Sequence, residues 1–220
     1  MKIWTIIPAF NVSRHMAAVV QAVRPVVDEI VIINDGSSDE TGAIADTLGV
    51  TVIHHPLNRG QGAALKTGTE YALSHGADII VHFDADGQFQ ASDIEKVITP
   101  LREGKADIVF GSRFLDSTTV LPWAKRVIIM SVARCINRWL FNINLTDPQS
   151  GFRAFNRKAG ELIDWQQDRM AHCSEILIEA HRHPLRITEV PITVHYHEFG
   201  QRFSGGFKIL RDLCLAALNH

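Results

Sequence analysis

The residues with the clearest chemistry are two aspartates, Asp84 and Asp86, which stand two positions apart and are followed by Gly87 and Gln88. They come directly after residues 78–83, an apolar run typical of a strand buried on both faces. Because residues i and i+2 of an extended chain point to the same side, we expect the two carboxylates to lie close together and to repel each other. A divalent cation would remove that repulsion, and carboxylate oxygens suit Mg2+ or Mn2+, which can share their coordination with a diphosphate. The alternative interpretation is a solvated turn rich in Asp and Gly.

Two further polar segments follow other predicted strands. Asp35 lies in the segment 34–39, NDGSSD, where its carboxylate could accept hydrogen bonds from a base or a ribose; a plain turn with a helix N-cap is the alternative. The segment 58–63, NRGQGA, enters a helix, and its two glycines and the helix N-terminus could accommodate a phosphate. Ligands of an α/β sheet bind beyond the carboxyl ends of its strands, so we expect these segments to open on one cleft with Asp84.

The elements that must position these residues alternate along the first half of the chain. Short runs rich in β-branched residues predict strands at 3–7, 29–33, 51–54, 78–83 and 107–110, and helical periodicity predicts helices at 39–48, 62–74 and 92–102. Later segments predict helices at 121–141, 174–182 and 207–218, a strand at 186–194 interrupted by Pro191, a short apolar segment at 151–155 and a glycine-rich loop at 197–206. The chain shows no repeat or linker. We therefore predict an α/β fold, a mostly parallel sheet flanked by helices, in a single compact domain.

Bulk composition excludes several classes of protein. The 220 residues carry a formal net charge of -2, which gives no reason to expect a nucleic-acid partner. The three cysteines, Cys135, Cys173 and Cys214, are odd in number and far apart, which argues against a disulfide scaffold or a zinc site and favours a cytoplasmic protein. No apolar run approaches the roughly 18 residues of a membrane span.

Taken in order, seven motifs resemble the motif set of the family-2 glycosyltransferases, and the group most resembled is the polyprenyl- or dolichyl-phosphate hexosyltransferases. The motifs are IIPAFN at 6–11, NDGSSDET at 34–41, NRGQGAAL at 58–65, DADGQ at 84–88, GSRF at 111–114, DPQSGFRAF at 147–155 and EVPI at 189–192. The resemblance covers nearly the whole chain. It implies a GT-A, Rossmann-like fold in which residues 1–115 form the nucleotide-sugar-binding half and residues 116–220 the acceptor-binding half of the same domain.

The resemblance also implies roles for individual residues. Those expected around the donor nucleotide are Pro8, Ala9, Asn11, Asp35, Arg59, Gly60, Asp84 and Gln88. Asp84 and Asp86 would hold Mg2+ or Mn2+, Asp147 would face the acceptor, and Glu175 would lie near the same cleft or form a helix ion pair. The chain departs from the family pattern at Asn34, which replaces the first aspartate of the usual Asp-Asp-Gly-Ser.

The chain also departs from the family pattern near its end, where His197 stands in the place of an expected arginine. We assign contact with the diphosphate to Arg202, because a guanidinium binds phosphate oxygens in pairs. His195 or His197 could complete the metal shell, although a histidine that only forms hydrogen bonds is the simpler interpretation.

The activity that follows is transfer of a hexose, with inversion, from a UDP- or GDP-linked sugar donor to an acceptor, with a polyprenyl phosphate as the expected lipid-phosphate acceptor. Basic residues among apolar ones in 121–141 and 207–218 favour peripheral contact with the inner face of the cell membrane, with packing against the sheet as the alternative. A saccharide hydroxyl acceptor and a non-catalytic nucleotide-sugar-binding protein remain open. A sugar nucleotidyltransferase is disfavoured, because IIPAFNVSRH at 6–15 lacks the expected glycine-rich basic loop.

Overall fold

The computed structural model describes residues 1–115 and 145–195, and in these ranges the chain builds one seven-stranded sheet. The strand order across the sheet is β3-β2-β1-β4-β6-β5-β7. The strands are β1 Ile3–Ala9, β2 Glu29–Asp35, β3 Thr51–His55, β4 Ile79–His82, β5 Ile108–Ser112, β6 Arg153–Asn156 and β7 Ile187–Pro191.

One strand runs against the others. β6 is antiparallel to both of its neighbours, β4 and β5, whereas the β1–β2, β1–β4, β2–β3 and β5–β7 pairs are parallel. The carboxyl ends of β1, β2, β4 and β5 therefore lie at the same edge of the sheet as the amino end of β6. The loops at these strand ends carry the candidate functional residues, so the topology brings both halves of the chain to one edge.

Helices cover the two faces of the sheet over two apolar layers. The helices are α1 Ser13–Val23, α2 Thr41–Thr47, α3 Gln61–Ser74, α4 Ile94–Arg102, α5 Arg157–Leu162 and α6 His172–Arg182, with 3-10 turns at Arg24–Val26 and Ala91–Asp93. Side chains alternate along β1, so that Ile3 and Ile7 pack in the layer beneath α1 and α4, while Trp4 and Ile6 pack in the layer beneath α3 and α6. Each layer is closed by the apolar side of its helices.

Helix α3 lies unusually close to β1. A Cβ atom on Gly68 would overlap the side chain of Ile6, so only glycine allows this approach. The close packing fixes the helix against the sheet and carries its first residue, Gln61, to the edge where β4 ends.

The predicted α/β class, the mostly parallel sheet and the strands of the first half are confirmed, with strand boundaries shifted by at most two residues. The predicted strand at 186–194 stops at Pro191, and the apolar segment 151–155 overlaps β6. Helices α1 and α5 and the antiparallel direction of β6 were not predicted. The expected helices at 121–141 and 207–218, the loop 197–206, Cys135 and Cys214 lie outside the described residues. Among the described residues, none of the helices has both the length and the apolar character of a membrane span.

Candidate active site

Asp84 and Asp86 lie in a turn at the carboxyl end of β4. The strand ends at the fully buried His82, and Gly87 closes the turn with a φ of 74°. One carboxylate oxygen of Asp86, Oδ1, accepts a hydrogen bond of 2.9 Å from the amide of Gln88. The expectation of an extended segment is therefore wrong here, because the chain turns before Asp86. The two carboxylates are nevertheless close enough for the charge of Asp86 to act on Asp84.

The carboxylate of Asp84 is held in a poorly hydrated position. Burial raises its pKa to about 7, and the negative charge of Asp86 acts in the same direction. Its Oδ1 atom accepts a hydrogen bond of 2.7 Å from Nε2 of Gln61, and a Cβ atom on Gly151 would lie 2.7 Å from its Oδ2 atom. The charge of Arg153 acts in the opposite direction but does not outweigh burial and the charge of Asp86, so the ionised form of Asp84 is only partly compensated without a bound cation.

A buried arginine and histidine lie beneath this carboxylate. Arg153 is 0% exposed, and its Nη2 donates to Nε2 of His172 at 3.0 Å and to Sγ of Cys173 at 3.5 Å. Nδ1 of His172 donates to the carbonyl of Arg169 at 2.7 Å, which leaves Nε2 as the acceptor. Burial and then the charge of Arg153 lower the pKa of His172 to about 4, so the ring is neutral at pH 7. Neither Arg153 nor His172 was predicted from the sequence to lie beside Asp84, although Arg153 lies inside the DPQSGFRAF motif.

Asp35 is the centre of a buried network at the end of β2. The residue is 2% exposed, and its Oδ1 atom accepts hydrogen bonds from Nδ1 of His55 at 2.7 Å and from the amide of Arg59 at 3.0 Å. Its Oδ2 atom accepts from the amide of Gly60 at 2.7 Å. The network fixes the loop before α3. Contact of Asp35 with a base or ribose stays a prediction, as does the position of Arg59 and Gly60 beside a nucleotide.

The N-terminus of α3 is filled by the protein itself. The amides of Gly62 and Ala63 donate to the carbonyl oxygen of Asp168 at 2.8 and 3.3 Å. A Cβ atom on Gly60 would overlap Asp168, and one on Gly62 would overlap the carbonyl of Gln167. The expectation that these amides receive a phosphate is therefore wrong. The physical reason for the glycines is close packing against residues 164–171, which we call the clamp segment.

Asn11 connects the loops that follow β1 and β2. It has a φ of 53°, a left-handed conformation that asparagine tolerates better than most residues. Its Oδ1 atom accepts from the amides of Ser38 at 2.9 Å and Asp39 at 3.3 Å, and its own amide donates to Oγ of Ser37 at 3.1 Å. Pro8 and Ala9 are the last two residues of β1, directly before this junction. These three residues lie at the predicted edge, and their contact with a nucleotide stays a prediction.

Asp147 is buried and fully engaged by an arginine. Nε and Nη2 of Arg113, which follows β5, donate to its two carboxylate oxygens at 2.6 and 2.7 Å. The Asp147 amide donates in turn to Oε1 of Glu189 at 2.8 Å. The pair brings the motifs GSRF and DPQSGF together, and sequence reasoning assigned no role to Arg113. The predicted role of Asp147 toward the acceptor is untested by this geometry.

Some of the remaining predicted residues lie in the described ranges and others lie outside them. The carbonyl of Gln88 accepts a hydrogen bond from the amide of His195 at 2.9 Å, and the His195 ring is hydrogen-bonded to the side chain of Gln90. Glu175 accepts from the amides of Gln166 and Gln167 at 2.9 and 2.7 Å and so anchors the clamp segment. The candidates for the diphosphate, His197 and Arg202, lie outside the described residues.

The two carboxylates at the end of β4 fit a metal ion that is also coordinated by the phosphate oxygens of a bound ligand. In residues 1–115 and 145–195, no group of three or more His, Cys, Asp or Glu side chains could enclose a metal ion. Asp84 and Asp86 offer two carboxylates, and Mg2+ commonly binds through one or two carboxylates and completes its shell with water and phosphate oxygens. The raised pKa of Asp84 is what such a site should show before the cation binds.

Comparison with known proteins identifies the family. The model of the family described as glycosyl transferase family 2 matches residues 4–162. The chain is 36% identical over 239 residues to the UDP-N-acetylglucosamine--dolichyl-phosphate N-acetylglucosaminyltransferase of Methanococcus voltae, covering 97% of this chain and 95% of that protein. It is 31% identical over 216 residues to the polyprenol monophosphomannose synthase of Mycolicibacterium smegmatis, covering 93% and 81%.

The fold is also that of a solved glycosyltransferase of the GT-A type. Glucosyl-3-phosphoglycerate synthase of Mycobacterium tuberculosis, crystallised with Mn2+, uridine diphosphate and phosphoglyceric acid, superposes with a TM-score of 0.76 at 19% identity, covering 99% of this chain and 78% of that one. The matching family model, the two relatives and the strand-end geometry agree, and the chain is a glycosyltransferase that belongs to glycosyl transferase family 2.

Proposed function

We propose that the protein is a metal-dependent inverting glycosyltransferase that moves a hexose from a UDP- or GDP-linked sugar to a polyprenyl phosphate. The observation that carries the proposal is the pair Asp84 and Asp86, in which burial and like charge raise the pKa of Asp84 to about 7 at the carboxyl edge of the sheet. The two relatives add support, because each is named for a lipid-linked phosphate.

In this proposal the donor lies across the ends of β1, β2 and β4. The residues that border the nucleotide are Pro8, Ala9, Asn11, Asp35, Arg59, Gly60 and Gln88. The hydrogen bonds from Arg59 and Gly60 to Asp35 support the assignment, because they hold the wall of the pocket in one shape before the donor arrives. Arg202 binds the diphosphate through two parallel hydrogen bonds from its guanidinium group.

Asp84 and Asp86 are the residues that would hold Mg2+ or Mn2+. A bound divalent cation offsets the negative charge that grows on the departing nucleoside diphosphate. The protein's own contribution is to keep Asp84 fixed and poorly hydrated, so that its charge is available to a cation. A proton competes for the same oxygen atoms, and its advantage is lost as the pH rises through about 7.

The geometry around Asp147 favours a phosphate over a saccharide hydroxyl as acceptor. A phosphate monoester has a second pKa of about 6 and needs little help to lose its proton at neutral pH. Both oxygens of Asp147 are engaged by Arg113, which suits an orienting role better than proton abstraction. We place the reaction at the inner face of the cell membrane, where peripheral contact would bring the enzyme to its lipid acceptor.

The test is a transfer assay with purified protein, undecaprenyl phosphate in detergent micelles and Mn2+. UDP-glucose, UDP-N-acetylglucosamine and GDP-mannose serve as donors, and the product is identified by mass spectrometry and by the configuration of its anomeric carbon. We expect one donor to give an inverted lipid-linked sugar, and EDTA or Asp86→Asn to abolish it.

The controls separate the alternatives. Undecaprenol without its phosphate should give no product. Transfer to an oligosaccharide but not to the lipid phosphate would overturn the acceptor class. Binding of a nucleotide sugar without any transfer would instead favour the non-catalytic binding protein.

A further inference from the structure

Gln61 reaches the carboxylate of Asp84 from the first turn of α3. Its side-chain amide nitrogen, Nε2, lies 2.7 Å from Oδ1 of Asp84, and both residues are partly buried. An amide N–H that donates to a carboxylate fixes the rotation of that carboxylate and stabilises its ionised form. The amide is uncharged, so it does this without repelling an incoming cation.

The other oxygen of the same carboxylate lies near Gly151. A Cβ atom on Gly151 would lie 2.7 Å from Oδ2 and 3.3 Å from Oδ1 of Asp84. Position 151 therefore has room for the carboxylate only because it is glycine. Gln61 therefore holds one oxygen atom of Asp84, while the other faces the space that a side chain at position 151 would fill.

The position of Gln61 is set by contacts of α3 with β1 and with the clamp segment. Gly68 packs directly on Ile6 of β1. The amides of Gly62 and Ala63 donate hydrogen bonds to the carbonyl of Asp168, and Nε1 of Trp165 donates to the carbonyl of Gly62 at 2.9 Å. The helix cannot shift along its axis without breaking these contacts. A side chain on its first residue is consequently aimed at Asp84 with little freedom.

We infer that Gln61 is a positioning residue for the metal-binding carboxylate, acting through its hydrogen bond to Asp84. The inference rests on the proposed function, since it takes Asp84 to be a metal ligand. Partners that orient metal ligands typically contribute about 10- to 100-fold to metal affinity. Removing the amide of Gln61 should therefore weaken metal binding while leaving the fold intact.

The test compares Gln61→Met with a matched variant, Gln166→Met. Methionine has nearly the length and the helix propensity of glutamine but cannot donate a hydrogen bond. Gln166 is a fair control because its Nε2 also donates to an aspartate, Oδ2 of the exposed Asp164 at 2.8 Å, in the clamp segment. Mn2+ is titrated into each protein, alone and with UDP or GDP, and followed by water-proton relaxation, which separates free, nucleotide-bound and protein-bound Mn2+.

We expect the dissociation constant for Mn2+ to rise at least about 10-fold in Gln61→Met and to stay unchanged in Gln166→Met. Thermal melting of the metal-free proteins checks that both variants are folded. Equal Mn2+ affinity in wild type and Gln61→Met would overturn the inference and leave the proposed function standing. Failure of the wild-type protein to bind Mn2+ under any of these conditions would overturn both.

Discussion

Asp84 combines a partly buried carboxylate with a second negative charge from Asp86. In the metal-free protein its pKa is raised from 3.8 to about 7. Between these two pH values the folded chain holds a proton that the unfolded chain has released. The contribution of Asp84 to the free energy of unfolding therefore falls as the pH rises through this window, and it changes no further above it.

This sign gives a prediction for Asp84→Asn. The variant cannot titrate at position 84, so its free energy of unfolding, relative to wild type, should increase as the pH is raised from about 4 to about 7 and then level off. Urea denaturation in EDTA at several pH values measures the difference between the two proteins. Taking that difference cancels carboxylates common to both, such as Asp107, whose pKa the Arg186 guanidinium holds below its usual range. A pH-independent difference would contradict the assigned shift.

Single residues also show where sequence reasoning reached its limit. Asp84, Asp86 and Asp35 were singled out because they follow apolar strands that the sequence marks clearly, and Asp147 because of the family resemblance. The hydrogen-bond partners of Asp84 and Asp147 were not predicted. Arg113 and Asp147 are 34 residues apart, and Gln61 and Asp84 are 23 residues apart, so no local spacing connects them.

At the scale of elements, four strands of the first half, β1, β2, β4 and β5, were predictable because they are buried on both faces and read as apolar runs. The edge strand β3 is mostly half-buried, and its β-branched residues indicated it instead. β6 was harder to recognise, because four residues carry little pattern and the first of them is the buried Arg153. The role of the glycines before and in α3 was misread for a similar reason. Their packing partners, Gln167 and Asp168, lie about a hundred positions further along the chain, where sequence alone gives no sign of them.

The clamp segment gives a prediction at the same scale, for Gly62→Ala. The added methyl group would overlap the carbonyl of Gln167, so the clamp segment must move away from α3. We expect a loss of about 1–3 kcal/mol in the free energy of unfolding, the usual cost of overpacking, measured by urea denaturation.

Gly160→Ala in α5 is the matched control for this substitution. There the new methyl group meets only side-chain ends of Ile80 and Leu73 at 3.3 Å or more. Alanine also favours a helix over glycine, so this variant should be neutral or slightly stabilised. A stable Gly62→Ala protein would show that the clamp segment is not packed as described.

At the scale of the whole molecule, the two halves of the chain share one sheet. β6, from the second half, lies between β4 and β5 of the first half, so the first half alone holds the four strands β3-β2-β1-β4 and a separate β5. The division into a nucleotide-sugar-binding half at 1–115 and an acceptor-binding half at 116–220 stays a prediction about function. Among the described residues, the two halves are not separate folding units.

This topology predicts that a fragment of residues 1–115 does not fold alone. Without β6, strands β4 and β5 lose the partner that joins them, and their unpaired edges are exposed. We expect the fragment to aggregate or to lack cooperative unfolding in circular dichroism. The full chain should instead unfold in a single transition. A fragment with a sharp thermal transition of its own would contradict this view.

The carbonyl of Asp168 should slow the exchange of amide hydrogens with solvent in the first turn of α3. First-turn amides of a helix normally lack a backbone partner and exchange readily. In this protein the amides of Gly62 and Ala63 are covered by the carbonyl of Asp168, about a hundred residues further along the chain. The rate of deuterium uptake at these two positions would therefore measure how often the clamp segment separates from α3.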